Sequence, residues 1–361
     1  MFYLNQTEVK HLNKIRGAVA DGLFFDKLVK VCDKTKPYIR DKGFVYTYAG
    51  CLLASGDKVD GAMKMFSLNM QDTFCSIMYG YLADVGVFEP AGKVFQSADA
   101  YDIYVQTNFY KNHQAGTLKN ISKFAENIPP PRSDVPVTIL DVGVGNGVLL
   151  AKIVNEIAPL YNIKVMRLIF IDPFEDMLKK AVGHCKQNIN IKTEITTICC
   201  KVQDISESQI NLIQQMKPIW FVNAALSVHH MPREAKVPML KQLKWLSPNL
   251  LLTEVNWNHD LPEKGSPELI YSVANNYANF CKDILYLPVT EKEKKLCLYH
   301  FPLAEAINII KQERASRIDY HTPIEEWKKI GREAGYSIGE TTPTITLDNE
   351  AFAFVMELLG E

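Results

Sequence analysis

The chain has 361 residues, 47% of them hydrophobic, enough for one large domain with an appendage or for two domains sharing a surface. Forty basic residues against forty-one acidic ones leave a formal net charge of −1, which gives no electrostatic basis for a nucleic-acid-binding face. No stretch reaches the ~18 uncharged apolar residues that cross a bilayer, so no membrane partner is expected. The eight cysteines are scattered without a C-x-x-C pair and read as reduced, mostly buried thiols, and the opening "MFYLNQTEVKHLNK" is polar too early for a secretory signal, so the default location is cytoplasmic.

From Thr7 to about Glu126 the apolar residues recur at helical spacing, as in "FFDKLVKVCDKTKPYI", and predict a helical domain over 1–126 that offers a surface for homodimerisation. Prolines at 129, 130, 131 and 136 then forbid helix and mark a linker over 127–136. The texture beyond it changes to short β-branched runs, "VTILDV" at 137, "VMRLIFI" at 165, "TEITTICC" at 193, "IWFVNA" at 219 and "LLLTEV" at 250, separated by amphipathic helical stretches. Strands apolar on both faces, alternating with helices, predict an α/β domain over 137–361 built on a parallel, Rossmann-like sheet. A helix-rich insertion follows at about 258–320. The chain closes with two strand-like runs around Asp348-Asn349, which read as an antiparallel pair.

The stretch "ILDVGVGNGVLL" carries the chemistry. Its first strand ends at Asp141, and Gly143, Gly145 and Gly147 make the turn into the next helix, where a sharp turn without side chains lets a ligand lie against bare backbone. The spacing is G-x-G-x-G rather than the G-x-G-x-x-G of dinucleotide sites, and Asp141 is wrong for a phosphate but right for an ammonium or sulfonium-bearing amino acid. The second strand ends in Asp172, where a carboxylate can accept both hydroxyls of a ribose, and Pro173 offers a flat apolar surface to a purine. The bland alternative is a tight turn in a Rossmann-like sheet that binds another nucleotide.

"ILDVGVGNGVLL" followed by "IFIDPFEDMLKKA" resembles motif I and the downstream acidic motif of class I S-adenosylmethionine-dependent methyltransferases. The resemblance implies a seven-stranded methyltransferase sheet and S-adenosylmethionine as cofactor. It places Gly143, Gly145 and Gly147 against the methionine part and ribose, Asp141 near the amino group, Asp172 on the ribose, Gln203 and Asp204 near the adenine amino group, and Asn223 and Ala224 beside the methionine part. A narrower likeness joins "VNAALSVHHMPREA" and the helical lead-in "NHQAGTLKNISKFAE" to GRAS-family proteins. Many of those resemble regulators with a degenerate glycine loop, whereas this chain keeps the loop complete.

Candidate catalytic groups are His229 and His230, either of which can serve as a base near the acceptor or merely enter the helix at Met231-Pro232, and Glu254, which ends the fifth strand at the same rim or caps a loop. Asn256 is a candidate for orienting the acceptor. His113 is a candidate to close over the site, against the simpler reading of a solvated histidine. The helical half and the insertion are expected to form a lid with Tyr104, Phe109, Tyr110, Tyr277 and Phe280 on its inner face, unless these aromatics are simply helix core. No zinc-site spacing occurs, so no metal is expected. The expectation is methyl transfer to a small, aromatic or apolar-bodied acceptor. The alternative is a GRAS-like, non-catalytic protein that binds a small ligand or regulates through the same fold.

Overall fold

The structure is a computed structural model that describes residues 3–89, 98–132, 135–347 and 349–360. The chain divides into two compact units, one of residues 1–110 with 257–320 and one of residues 111–256 with 321–361.

The first unit is helical. Its helices include Gln6–Ala20, Phe25–Thr35, Phe44–Ser55, Val59–Ser67 and Thr73–Val85 from the N-terminal half, and Pro267–Leu285, Glu291–His300 and Pro302–Lys311 from the insertion. Local chemistry sets their starts: Asn5 and Glu8 form a reciprocal capping box, Thr290 and Glu293 form another, and Ser266 caps Pro267–Leu285. The insertion was expected to be an appendage of the sheet domain, but within this unit it completes the N-terminal core. Tyr48 donates to the Gly265 carbonyl at 2.8 Å, and Phe44 meets Tyr271 edge-on at 4.8 Å, because Phe44–Ser55 is apolar nearly all round and needs partners on every side.

The second unit is a seven-stranded sheet of β1 (Val137–Val142), β2 (Val165–Asp172), β3 (Lys192–Cys199), β4 (Ile219–Ala225), β5 (Asn249–Val255), β6 (Ser337–Leu347) and β7 (Glu350–Leu359), in the order β3-β2-β1-β4-β5-β7-β6. The first five strands are parallel and β7 is antiparallel to both its neighbours, as the terminal pair predicted; Asp348 of the connecting turn lies outside the described residues.

Alternation explains the doubly apolar strands. Ile139, Leu168, Phe221 and Leu251 enter a core with helices Asn108–Asn127, Val148–Leu160 and Glu175–Asn188. Leu140, Ile169, Val222 and Leu252 enter the opposite core with helices Arg233–Leu246 and Ile324–Glu333.

This packing moves the expected domain boundary. Helix Asn108–Asn127 puts Ile121, Phe124 and Ala125 under the sheet, with Phe124 edge-on to Phe221 at 5.4 Å, so the division falls near 110 rather than 126. The proline stretch is a connection inside the sheet unit: the indole N–H of Trp220 donates to the Pro129 carbonyl at 2.9 Å.

Candidate active site

In an open α/β sheet, a ligand crevice forms beyond the carboxyl ends of the strands where the strand order reverses, here between β1 and β4. Those two strands place Asp141 directly beside Asn223 in register.

The glycine loop lies at this point. Gly143, Gly145 and Gly147 have φ of +70°, +56° and +78°, a left-handed conformation costly for residues with a Cβ. At Gly143 a Cβ would lie 2.3 Å from the Ser227 Cβ, and at Gly147 one would lie 2.9 Å from the Ala181 Cα. The loop is therefore wedged between the segment after β4 and helix Glu175–Asn188 as well as bent. Gly143→Ala should cost at least ~1–2 kcal/mol from backbone strain alone, visible as a lower unfolding temperature, and a native midpoint would contradict this packing.

Two buried carboxyls lie at this crevice. The Asp141 carboxyl is buried and accepts a 3.2 Å hydrogen bond from Asn223 Nδ2. Burial pushes its pKa up to about 7, the Asn223 bond opposes that, and the neighbouring Asp172 reinforces it. Asp172 accepts from Gly145 N at 3.3 Å and from Phe174 N at 2.9 Å, which ties the loop to the end of β2. Burial raises this carboxyl too, against those two bonds and the nearby His230. Burial thus holds both carboxyls above their usual range. Around them, Asn223 Oδ1 and Ser227 Oγ are buried without a hydrogen-bond partner.

Pro173 and the adjacent Phe174 are exposed after the end of β2. Ala224 is buried beside Val142, while Gln203 and Asp204 are exposed on a short 3₁₀ turn after β3.

A second cluster hangs from the same end of β4. Leu226 has φ +50° and donates its N–H to the Thr253 carbonyl at 2.8 Å, so the chain reverses within one residue. This reversal sets Ser227 on Gly143 and brings a 3₁₀ turn, Val228–His230, onto the end of β5. There Glu254, 1% exposed, accepts from Val228 N at 3.0 Å and from His229 Nδ1 at 2.8 Å. A carboxylate partner fixes the proton on Nδ1 and leaves the ring's lone pair on Nε2. Burial pushes the Glu254 carboxyl up, but the field and hydrogen bond of His229, the charge of Lys236 and the Val228 N–H outweigh it, and the pKa is lowered overall. The His230 ring lies 4.1 Å from that of His229, and the His321 ring stacks on His229 at 4.6 Å with 19° between planes.

Other candidates take different places. Asn256 is committed to the backbone: its Nδ2 donates to the Ala351 carbonyl at 2.8 Å and its Oδ1 accepts from Ile324 N at 2.9 Å, so it pins chain segments rather than presenting an amide to a ligand. His113 is not solvated. It is 2% exposed with Nδ1 3.0 Å from Thr344 Oγ1, and burial lowers its pKa to about 4, with Glu254 opposing and His229 reinforcing.

Tyr110, Tyr277 and Phe280 belong to the helical unit, where aromatic packing claims them. Tyr104 meets Tyr110 at 5.1 Å and Phe280 at 5.3 Å, and Phe109 meets Phe280 at 4.9 Å. Tyr277 is fully buried and donates to Glu305 at 3.0 Å, so it is core and not a pocket wall. The expected inner face of a lid is thus, within its own unit, an aromatic core. His321, Thr322 and Lys236 went unnoticed in sequence, because nothing in "RIDYHTPIEEW" or "PREAKV" signals their proximity to His229 and Glu254.

No family model and no curated protein matches the chain. Among solved structures it is similar to SCL7 of Oryza sativa, with 13% identity, a TM-score of 0.61 and coverage of 83% of this chain and 89% of that one. It is also similar to the CurJ carbon methyltransferase, with 15% identity, a TM-score of 0.47 and coverage of 98% and 90%. A third likeness is to magnesium protoporphyrin IX methyltransferase of Synechocystis with bound SAH, with 13% identity, a TM-score of 0.42 and coverage of 79% and 99%. At 13% identity the SCL7 likeness is one of fold alone.

Proposed function

We propose that the chain is an S-adenosylmethionine-dependent methyltransferase for a small organic acceptor that gives up a proton as it is methylated. The observation that carries this reading is the pairing of two features at the carboxyl ends of the neighbouring strands β1, β4 and β5. The first is a buried carboxyl, Asp141, bonded to Asn223 beside the glycine loop; the second is a buried His229–Glu254 pair joined through Nδ1.

The fit to the donor rests on the seat itself. Asp141 and the unpartnered Asn223 Oδ1 suit an ammonium group, Asp172 suits ribose hydroxyls, and Pro173 suits the face of a purine. When bound, S-adenosylmethionine supplies a methyl group activated on a sulfonium. The chain then has to orient the acceptor, exclude water and receive its proton at His229 Nε2, with the ionised Glu254 stabilising the imidazolium that results.

A base is needed for a hydroxyl or for an acidic C–H and is superfluous for a neutral amine, so the dyad favours the first two classes. No helix among the described residues is long and apolar enough to cross a membrane.

Calorimetry with S-adenosylmethionine and its demethylated product tests the seat. Binding by the native chain and a marked loss in Asp172→Ala, with an unchanged circular dichroism spectrum, is the expected result. Absence of binding by the native chain would overturn the reading. Consumption of methyl-labelled donor across a panel of hydroxyl, carbonyl and amine compounds then identifies the acceptor class.

A further inference from the structure

His229 is hydrogen-bonded through Nδ1 to Glu254 at 2.8 Å, and a single hydrogen bond by itself leaves an imidazole free to turn about that axis. In this fold a second constraint comes from residues 321–324, where the chain re-enters the sheet unit. We propose that His321 and Lys236 are positioning residues for the His229 base, acting through a clamp formed by residues 321–324; this rests on the reading of His229 as the base.

The clamp has three anchors. At one end Ile324 N donates to Asn256 Oδ1 at 2.9 Å, which ties it to the residue after β5. In the middle Lys236 Nζ donates to Thr322 Oγ1 at 2.6 Å, with both residues buried. At the other end the His321 ring, itself 3% exposed, lies nearly parallel on the His229 ring. A flat ring against one face and the Glu254 carboxylate at Nδ1 together fix both the plane and the tautomer of His229.

Lys236 also has an electrostatic part. It is wholly buried on helix Arg233–Leu246, with its ammonium 5.1 Å from the centre of the Trp327 ring. Burying an ammonium is costly, and a methionine of similar length would fill the slot without that cost, so packing does not account for the charge. The charge acts on Glu254, which must stay ionised in a fully buried place to hold the Nδ1 proton. The titratable groups of the sheet unit that act on this pair are thus His113, His230, His321 and Lys236.

The test compares Lys236→Met, His321→Leu and His321→Phe with the native chain. Leucine keeps bulk without a flat face; phenylalanine keeps the flat face. Long-range proton–nitrogen NMR on ¹⁵N-histidine-labelled protein, with His229 assigned by its own Gln variant, reads the tautomer without needing turnover. The native chain and His321→Phe should show the Nδ1–H form, while Lys236→Met and His321→Leu should show a mixture.

With an acceptor in hand, kcat should fall on the order of 10²-fold in the latter two, with the KM for S-adenosylmethionine unchanged. Native tautomer and native kcat in both Lys236→Met and His321→Leu would overturn the clamp. Failure of the native chain to bind donor or methylate any acceptor would instead sink the proposed activity, and the tautomer measurement would still decide the clamp. If one of the two variants does not fold, the other carries the test.

Discussion

His229→Gln should lower kcat by about 10²–10⁴-fold, the usual worth of a positioned proton acceptor, while leaving the affinity for S-adenosylmethionine unchanged. The split follows from the geometry. His229 touches Glu254 and its neighbouring imidazoles, and none of the groups of the donor seat is bonded to it. Glutamine can reach Glu254 with its amide but carries no lone pair basic enough to take a proton. Glu254→Gln should produce a loss of the same kind, because a neutral amide neither fixes the Nδ1 proton nor stabilises an imidazolium. Donor binding by calorimetry and single-turnover rates check both; a variant with native kcat would remove the base from the mechanism.

Asp141→Asn should weaken S-adenosylmethionine about 10- to 150-fold, the value of one charge-assisted hydrogen bond, and at the same time stabilise the protein at alkaline pH. The folded-state pKa of Asp141 is raised to about 7 from an ordinary value of 3.8. A carboxyl raised in this way contributes stability that is fully present below the unfolded value and is lost as pH rises through the folded one. Above pH 7 the native chain therefore carries a buried charge at a cost on the order of 1–4 kcal/mol, which a neutral amide avoids. The expected gain in unfolding temperature appears at pH 8 and vanishes toward pH 4.

On the proposed function, the same titration gives the native chain a pH-dependent affinity for the donor. A cationic ligand needs the ionised carboxyl, so affinity should fall by about tenfold per pH unit below 7. An affinity flat from pH 5 to 8 would show that Asp141 does not face the ligand's charge.

The parts legible in sequence were those that short-range patterns encode. Runs apolar on both faces gave the five parallel strands within a residue or two, and G-x-G-x-G after Asp141 gave the loop, because both depend on neighbours in the chain. His229 and Glu254 were visible only as separate candidates. Their contact depends on the left-handed Leu226, an unusual conformation for a leucine that no local signal announces.

The role of Asn256 was misread because a strand-end amide looks the same whether it faces a ligand or holds two backbone segments. The insertion was assigned to the wrong unit because its amphipathic pattern says that a face is buried without saying against what. Only the tertiary partners of Phe44–Ser55 decide that.

The reversal at Leu226 has a consequence for how such an enzyme diversifies. Asn223, Ser227 and His229 lie within seven residues of one another, so in the proposed reaction the spacing between the methyl source and the proton acceptor would be set by a single strand terminus. Reach and alignment are thereby inherited as one piece, like marks on a ruler. New acceptors can be accommodated by altering other parts of the chain without recalibrating the distance over which the reaction runs.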